Sequence, residues 1–255
     1  MTESMPTSPS DSCPVCGKKI EYYEFDSFGR HFRIPKPCTC RLEKEDIKAQ
    51  EFEVKQRRIR IESKLAGSGL GPKFQKCTFE SWERSDATDK VYGIVKSYAE
   101  KFNKDVKNGI VVYGKCGNGK SHLVAAVVNY LIQKGYVGIF QNVPILLSRL
   151  RSAERENESE ILHTLTRADI LVLDDLGAYK WTGWREEIIY MIINNNYYYE
   201  KPILATSNLS PDELAENIGE RSMDRLMEMC VFVENPGESY RKKIAVERIK
   251  KMRGS

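Results

Sequence analysis

The sequence predicts an α/β protein built on a five-stranded parallel sheet, with a small cysteine module ahead of it. Three observations carry that expectation. From residue 89 onward, five short apolar runs alternate with helix-patterned segments, and continuous apolar strands belong to parallel sheets covered on both faces. The first run opens into Gly114-Lys115-Cys116-Gly117-Asn118-Gly119-Lys120-Ser121, a glycine-rich loop at the start of an apolar helix. Four of the seven cysteines fall at positions 13, 16, 38 and 40.

Composition bounds what such a protein does. At ~100–200 residues per domain, 255 residues make one full domain plus an appendage. A net charge of +4 excludes a purely electrostatic, histone-like nucleic-acid binder, although a local basic groove stays open. No apolar run approaches the ~20 residues that cross a bilayer. Met1–Ser10 lacks the basic start and apolar stretch of a signal peptide. Neither membrane insertion nor secretion is expected. An odd number of cysteines then points to a reducing, cytoplasmic setting rather than to a disulfide framework.

Taken in order, residues 1–12 are Ser/Thr/Pro-rich and expected to be disordered. Residues 13–40 form the cysteine module. Cys13-Pro14-Val15-Cys16 is a half-site for tetrahedral zinc, because a tight turn brings two thiolates to one ion. Cys38-Thr39-Cys40 is a less usual second half, and His31 could replace one thiolate. Buried or redox cysteines are the competing reading. A structural ion suits a ~30-residue segment with too little core to fold alone. Residues 41–72 read as a charged helix to about Lys64, either a solvated connector or a partner-binding surface, followed by the linker Ala66-Gly67-Ser68-Gly69-Leu70-Gly71-Pro72.

Residues 73–255 form the sheet domain. Helices are expected over 89–102, 121–133, 143–155, 158–167, 184–199 and 239–251, with a further helix opening at Ser210-Pro211-Asp212-Glu213, a capping box. Strands are expected at 110–113, 137–141, 170–173, 203–206 and 230–233. Cys77 and Cys230 read as buried packing residues.

The loop Gly114–Ser121 satisfies G-x-x-x-x-G-K-[ST], a pattern chance supplies in roughly one chain of this length in a hundred. Its glycines let backbone N–H groups face phosphates at a helix N-terminus. Lys120 would reach the β/γ-phosphates and the Ser121 hydroxyl would bind Mg²⁺; His122 completes the expected ATP-binding set. Ile170-Leu171-Val172-Leu173-Asp174-Asp175 is the acidic partner: Asp174 would hold Mg²⁺ and Asp175 would polarise the attacking water. Thr206-Ser207-Asn208 closes the next strand with an amide that could orient water beside the γ-phosphate.

Three further stretches follow: Leu173-Asp174-Asp175-Leu176-Gly177, then Ile203-Leu204-Ala205-Thr206-Ser207-Asn208-Leu209-Ser210-Pro211-Asp212-Glu213-Leu214, then Ile218-Gly219-Glu220-Arg221 with Asp224-Arg225-Leu226. Over roughly residues 70–250 this order resembles the AAA+ ATPases of the DnaC/DnaI helicase-loader group, with the IstB transposition ATPases as near relatives. The resemblance implies an AAA+ P-loop fold with a reduced C-terminal lid, since little chain follows Arg241. It implies ATPase activity with Asn208 as sensor 1, Arg241 as sensor 2, and Arg225 as an arginine finger reaching a neighbouring subunit, with Arg221 the other candidate. Such roles suit an always-charged planar fork. Asp175 stands where many relatives carry Glu, which implies slow hydrolysis, stimulated by a partner or DNA. The resemblance also implies that the N-terminal module engages a hexameric replicative helicase and that the chain binds single-stranded DNA. A transposition helper, or a nucleotide-gated DNA-binding module with little hydrolysis, are the alternatives.

For DNA contact, Arg149, Arg151 and Arg155 are candidates for phosphates. Within Lys180-Trp181-Thr182-Gly183-Trp184-Arg185, either tryptophan could stack on a base. Tryptophans that simply pack a loop onto the sheet are the equal alternative.

Overall fold

A computed structural model describes residues 12–153, 155–178 and 183–252. The expected disorder of residues 1–11 lies outside them, as do Lys180, Trp181 and Thr182. Ser12 forms an isolated bridge with Lys19. The chain divides into two compact units, Met1–Arg60 and Ile61–Ser255.

The first unit holds an antiparallel hairpin, β1 (Tyr22–Ser27) and β2 (Arg30–Pro35), and most of helix α1 (Thr39–Gly67). Phe28 and Gly29, both at positive φ, close the hairpin, the backbone that a two-residue turn between twisted strands requires. On one face Glu24 meets Arg33 and Asp26 meets His31; on the other Phe25 stacks on Phe32. Among the described residues up to Arg60, Cys13 is the only one that is buried. The described part of this unit has no hydrophobic core of its own.

The second unit is the parallel sheet, ordered β4 (Gly138–Asn142), β5 (Ile170–Asp174), β6 (Ile203–Ser207), β3 (Gly109–Tyr113), β7 (Cys230–Glu234). All its ladders are parallel. Side chains alternate between two cores, which is why the strands read as unbroken apolar runs. Ile170 and Val172 of β5 pack under α2 (Asp89–Lys101) and α3 (Lys120–Gln133); Leu171 and Leu173 pack under α4 (Val143–Ser152), α6 (Trp184–Tyr198) and α8 (Glu220–Met229). α5 (Arg155–Thr166), α7 (Pro211–Ile218) and α9 (Tyr240–Met252) complete the order. The expected capping box at Ser210 and Glu213 is formed on both sides.

Three expectations shift. The single helix expected to Arg155 stops at Ser152, where Ala153 turns extended, and α5 starts at Arg155. Residues 220–229, noted only as a motif, form a helix of their own after Gly219 breaks from α7 at φ 85°. The stretch 66–72 is seated rather than free: Ser68 and Leu70 are buried, and the Phe140 N–H donates to the Ser68 carbonyl at 2.6 Å, covering the β4 edge. No helix among the described residues is long and apolar enough to cross a membrane.

Candidate nucleotide site and cysteine centre

The phosphate loop hangs from β3, which pairs on both sides and so has little freedom to move. Asn118 and Asn235 lock it to the chain after β7: each side-chain amide donates to the other's carbonyl, at 2.6 and 3.1 Å. Gly117 and Gly119 are required as glycines. Both have positive φ, 83° and 91°, and a Cβ would lie 2.4 Å from Ser239 Oγ in the first case and 2.4 Å from the Trp82 ring in the second.

Lys120 opens α3 and is buried. Its ammonium donates to the carbonyls of Gly114 and Lys115, both at 2.8 Å, to Asn118 Oδ1 at 3.2 Å and to Asn208 Oδ1 at 2.9 Å. The loop lysine and the strand-end asparagine of β6 are therefore tied directly. Burial lowers the Lys120 pKa, and the charges of Cys116, Asp175 and Asp174 oppose that shift.

Asp174 ends β5, is 2% exposed, and accepts the Thr206 hydroxyl at 2.7 Å. Burial raises its pKa, countered by hydrogen bonds from Ser121 and Thr206. Ser121 and Asp174 are thus neighbours, an oxygen pair suited to Mg²⁺. Asp175 follows at φ 59°, a strained setting for a non-glycine residue. Its N–H donates to Thr206 Oγ1 at 3.0 Å and its carboxylate accepts from Asn142 Nδ2 at 3.1 Å.

The N-terminus of α9 closes the loop from outside. The Tyr240 N–H donates to the Gly117 carbonyl at 2.9 Å, and Glu83 accepts from Tyr240 Oη and Lys243 Nζ, each at 2.7 Å. Those two donors hold the Glu83 carboxyl below its ordinary pKa. Arg241 Nη1 lies 4.0 Å from Cys116 Sγ. His122 is turned to the Thr78 carbonyl at 3.0 Å and the Ser81 hydroxyl at 3.2 Å, with the Trp82 ring 5.4 Å away. A cavity of about 740 Å³ results, lined by the loop from Cys116 to His122, Asp175, Asn208, Arg241 and the wall Trp82–Arg84. That is ample for a nucleotide.

Arg225 does not line this cavity. It sits on α8, its guanidinium 4.5 Å from the Tyr197 ring centroid. Arg221 is exposed. Arg149 and Arg151 are exposed in the last turn of α4, whereas the Arg155 side chain and Trp181 lie outside the described residues. Trp184 packs against the core beneath α6, the structural alternative. Sequence reasoning missed Trp82, Glu83, Asn142 and Asn235. An amide ending a strand was the faint signal for Asn142; nothing local marks Glu83, whose partners are 157 and 160 residues away.

In the other unit, Cys13, Cys16, Cys38 and Cys40 place their Sγ atoms within 4.8 Å of one another. Cys13–Cys40 is 3.7 Å and Cys16–Cys38 is 3.4 Å. A tetrahedron with ~2.3 Å Zn–S bonds has sulfur edges of about 3.8 Å, so four thiolates around zinc fit. The Cys16 and Val15 N–H groups lower Cys13 to about 6. Cys40, hydrogen-bonded to Cys16 and Cys38, is pushed up to about 12. His31 is not in this group; its Nδ1 meets Asp26 at 2.9 Å. Cys77 and Cys230 are buried, as expected, and burial raises both thiols.

A family model described as IstB-like ATP binding protein matches residues 43–248. The replicative helicase loader DnaC of Escherichia coli strain K12 is 26% identical over 204 residues, 78% of this chain and 82% of that protein. The DnaC of Buchnera aphidicola subsp. Baizongia pistaciae (strain Bp) is 30% identical over 210 residues, 80% and 83% of the two chains. Among solved structures, a crystal structure of the DnaC helicase loader superposes with TM-score 0.61 at 24% identity, over 65% of this chain and 99% of that one. The replication initiator DnaA bound to AMPPCP and single-stranded DNA gives 0.57 at 26%, over 71% and 56%. The fold is that of AAA+ P-loop proteins. The cysteines at 13–40 precede the matched range.

Proposed function

The chain belongs to the IstB-like ATP-binding protein family, and from that premise we propose that it is an ATP-dependent loader of a hexameric replicative helicase onto single-stranded DNA. One observation carries the reading: relatives named replicative helicase loaders match over about four-fifths of both chains, and the family match at residues 43–248 spans the nucleotide site.

In this reading Lys120 holds the β/γ-phosphates, and Ser121 with Asp174 holds Mg²⁺, whose charge offsets that building on the phosphates. Asp175, steadied by Asn142, polarises the attacking water. Asn208 senses the γ-phosphate through its bond to Lys120, and Arg241 meets the nucleotide from α9. Arg225 completes the site of a neighbouring copy. Asp175 is one methylene shorter than Glu, so hydrolysis is slow and is stimulated by helicase or DNA. Four cysteines on zinc fold the N-terminal module, which grips the helicase. The protein works in the cytoplasm.

Sizing the full-length protein with its host's replicative helicase, with and without ATP, tests this. A joint complex whose size depends on ATP is expected. Absence of any complex sinks the loader reading. A Cys38→Ser, Cys40→Ser protein is expected to lose the helicase and keep its ATP affinity.

A further inference from the structure

Three consecutive tyrosines, two ending α6 and Tyr199 capping it, are not equivalent. Tyr198 and Tyr199 are exposed, whereas Tyr197 packs against the hydrophobic core. Its hydroxyl donates to Glu228 Oε1 at 2.8 Å, which pins the ring from its far end. Across that pinned ring lies the Arg225 guanidinium, its central carbon 4.5 Å from the ring centroid. Cation–π attraction of this kind holds the face of an arginine without using its N–H groups.

Among the described residues the guanidinium is ion-paired but makes no short hydrogen bond. Arg225 Nη1 stands 3.6 Å from Asp224 Oδ2 and 3.8 Å from Glu228 Oε2. Both exceed the ~2.7–3.2 Å of a hydrogen bond. The carboxylates orient the cation by charge alone, and a phosphate offering short charge-assisted bonds displaces them readily. A parked arginine would look different, with its fork closed bidentate on a carboxylate. Arg221, one turn earlier, is exposed with no ring or ion-pair partner among the described residues. It would have to give up its rotamer freedom on reaching a phosphate, which Arg225 has already done.

We propose that Tyr197 is a positioning residue that preorganises Arg225 for the nucleotide of a neighbouring copy of this chain, and that this support selects Arg225 over Arg221. The proposal rests on the reading of Arg225 as acting in trans. Tyr197 touches no nucleotide; it acts through the arginine alone.

Steady-state ATP hydrolysis by the full-length protein, with single-stranded DNA and across the concentrations of self-association, is the test. Tyr197→Ala is expected to lower kcat about tenfold with nucleotide Kd within about twofold, because each chain's own cavity is intact. Tyr197→Phe keeps the ring and is expected to stay within about threefold of the unaltered protein. Mixing Tyr197→Ala chains with Asp175→Asn chains is expected to restore hydrolysis, since the second kind supplies a well-held Arg225 to the first. A wild-type rate in Tyr197→Ala while Arg225→Ala is inactive overturns the positioning role and leaves the trans reading standing. Weakened nucleotide binding in Tyr197→Ala, or no restoration on mixing, makes the role merely structural and also overturns it. An Arg225→Ala protein that hydrolyses normally removes the reading underneath.

Discussion

Lys120 carries a positive charge held by four oxygens, three from its own loop and one from Asn208 on another strand. Removing it leaves those acceptors facing phosphate without a cation. Lys120→Ala is therefore expected to weaken ATP binding by about 100-fold or more in calorimetry; unchanged affinity would place the nucleotide elsewhere. Asp174 gives a pH prediction. Its folded pKa is raised by burial, so the folded state binds the proton more tightly than the unfolded chain does. Stability then falls as pH rises from the ordinary carboxylate range through the raised value, and the loss is complete above it. Thermal midpoints of the nucleotide-free protein across that window are expected to decline, and Asp174→Asn is expected to flatten the decline while abolishing hydrolysis. The loop motif and both carboxylates were legible as residues. Asn142 and Thr206 were not legible as their partners, because a strand-end side chain gains its meaning from the strand beside it.

At the scale of elements, the loop works because two others press on it. Trp82 occupies the space beside Gly119, and the start of α9 occupies the space beside Gly117. A Gly119→Ala side chain meets the indole at a backbone angle that disfavours it, and a loss of about 1–3 kcal/mol in chemical denaturation is expected, together with nucleotide binding. Glu83→Ala unpins α9 by removing the acceptor of Tyr240 and Lys243. Severalfold weaker ATP binding with little change in thermal midpoint is expected, because Arg241 rides on that helix. Equal affinity would mean that the Tyr240–Gly117 bond suffices. The strands and most helices could be read from apolar runs and caps. The β1–β2 hairpin was missed because its apolar positions face outward, so burial leaves no pattern, and α8 because Gly219 hides a second helix behind the first.

For the whole molecule, the two units are held together internally by different physics. The sheet unit has two apolar cores, whereas the described part of the first unit buries only Cys13. On the proposed reading of the four cysteines as a zinc site, treatment with a chelator is expected to collapse the hairpin, seen as fast amide exchange over residues 22–35, while ATP affinity is retained. Loss of exchange protection throughout residues 109–234 instead would show that the units do not fold separately. The sequence alone determined the alternating α/β order, the phosphate loop, its acidic partner and the four-cysteine pattern, because each is written in neighbouring residues whose chemistry is local. Tertiary structure alone decided that Asn208 bonds Lys120, that Glu83 pins α9, and that Arg225 rests on the Tyr197 ring. Those contacts join residues from 28 to 160 positions apart. No local periodicity encodes them; they exist because parallel strands bring their C-terminal ends to one edge and helix packing brings α6 against α8.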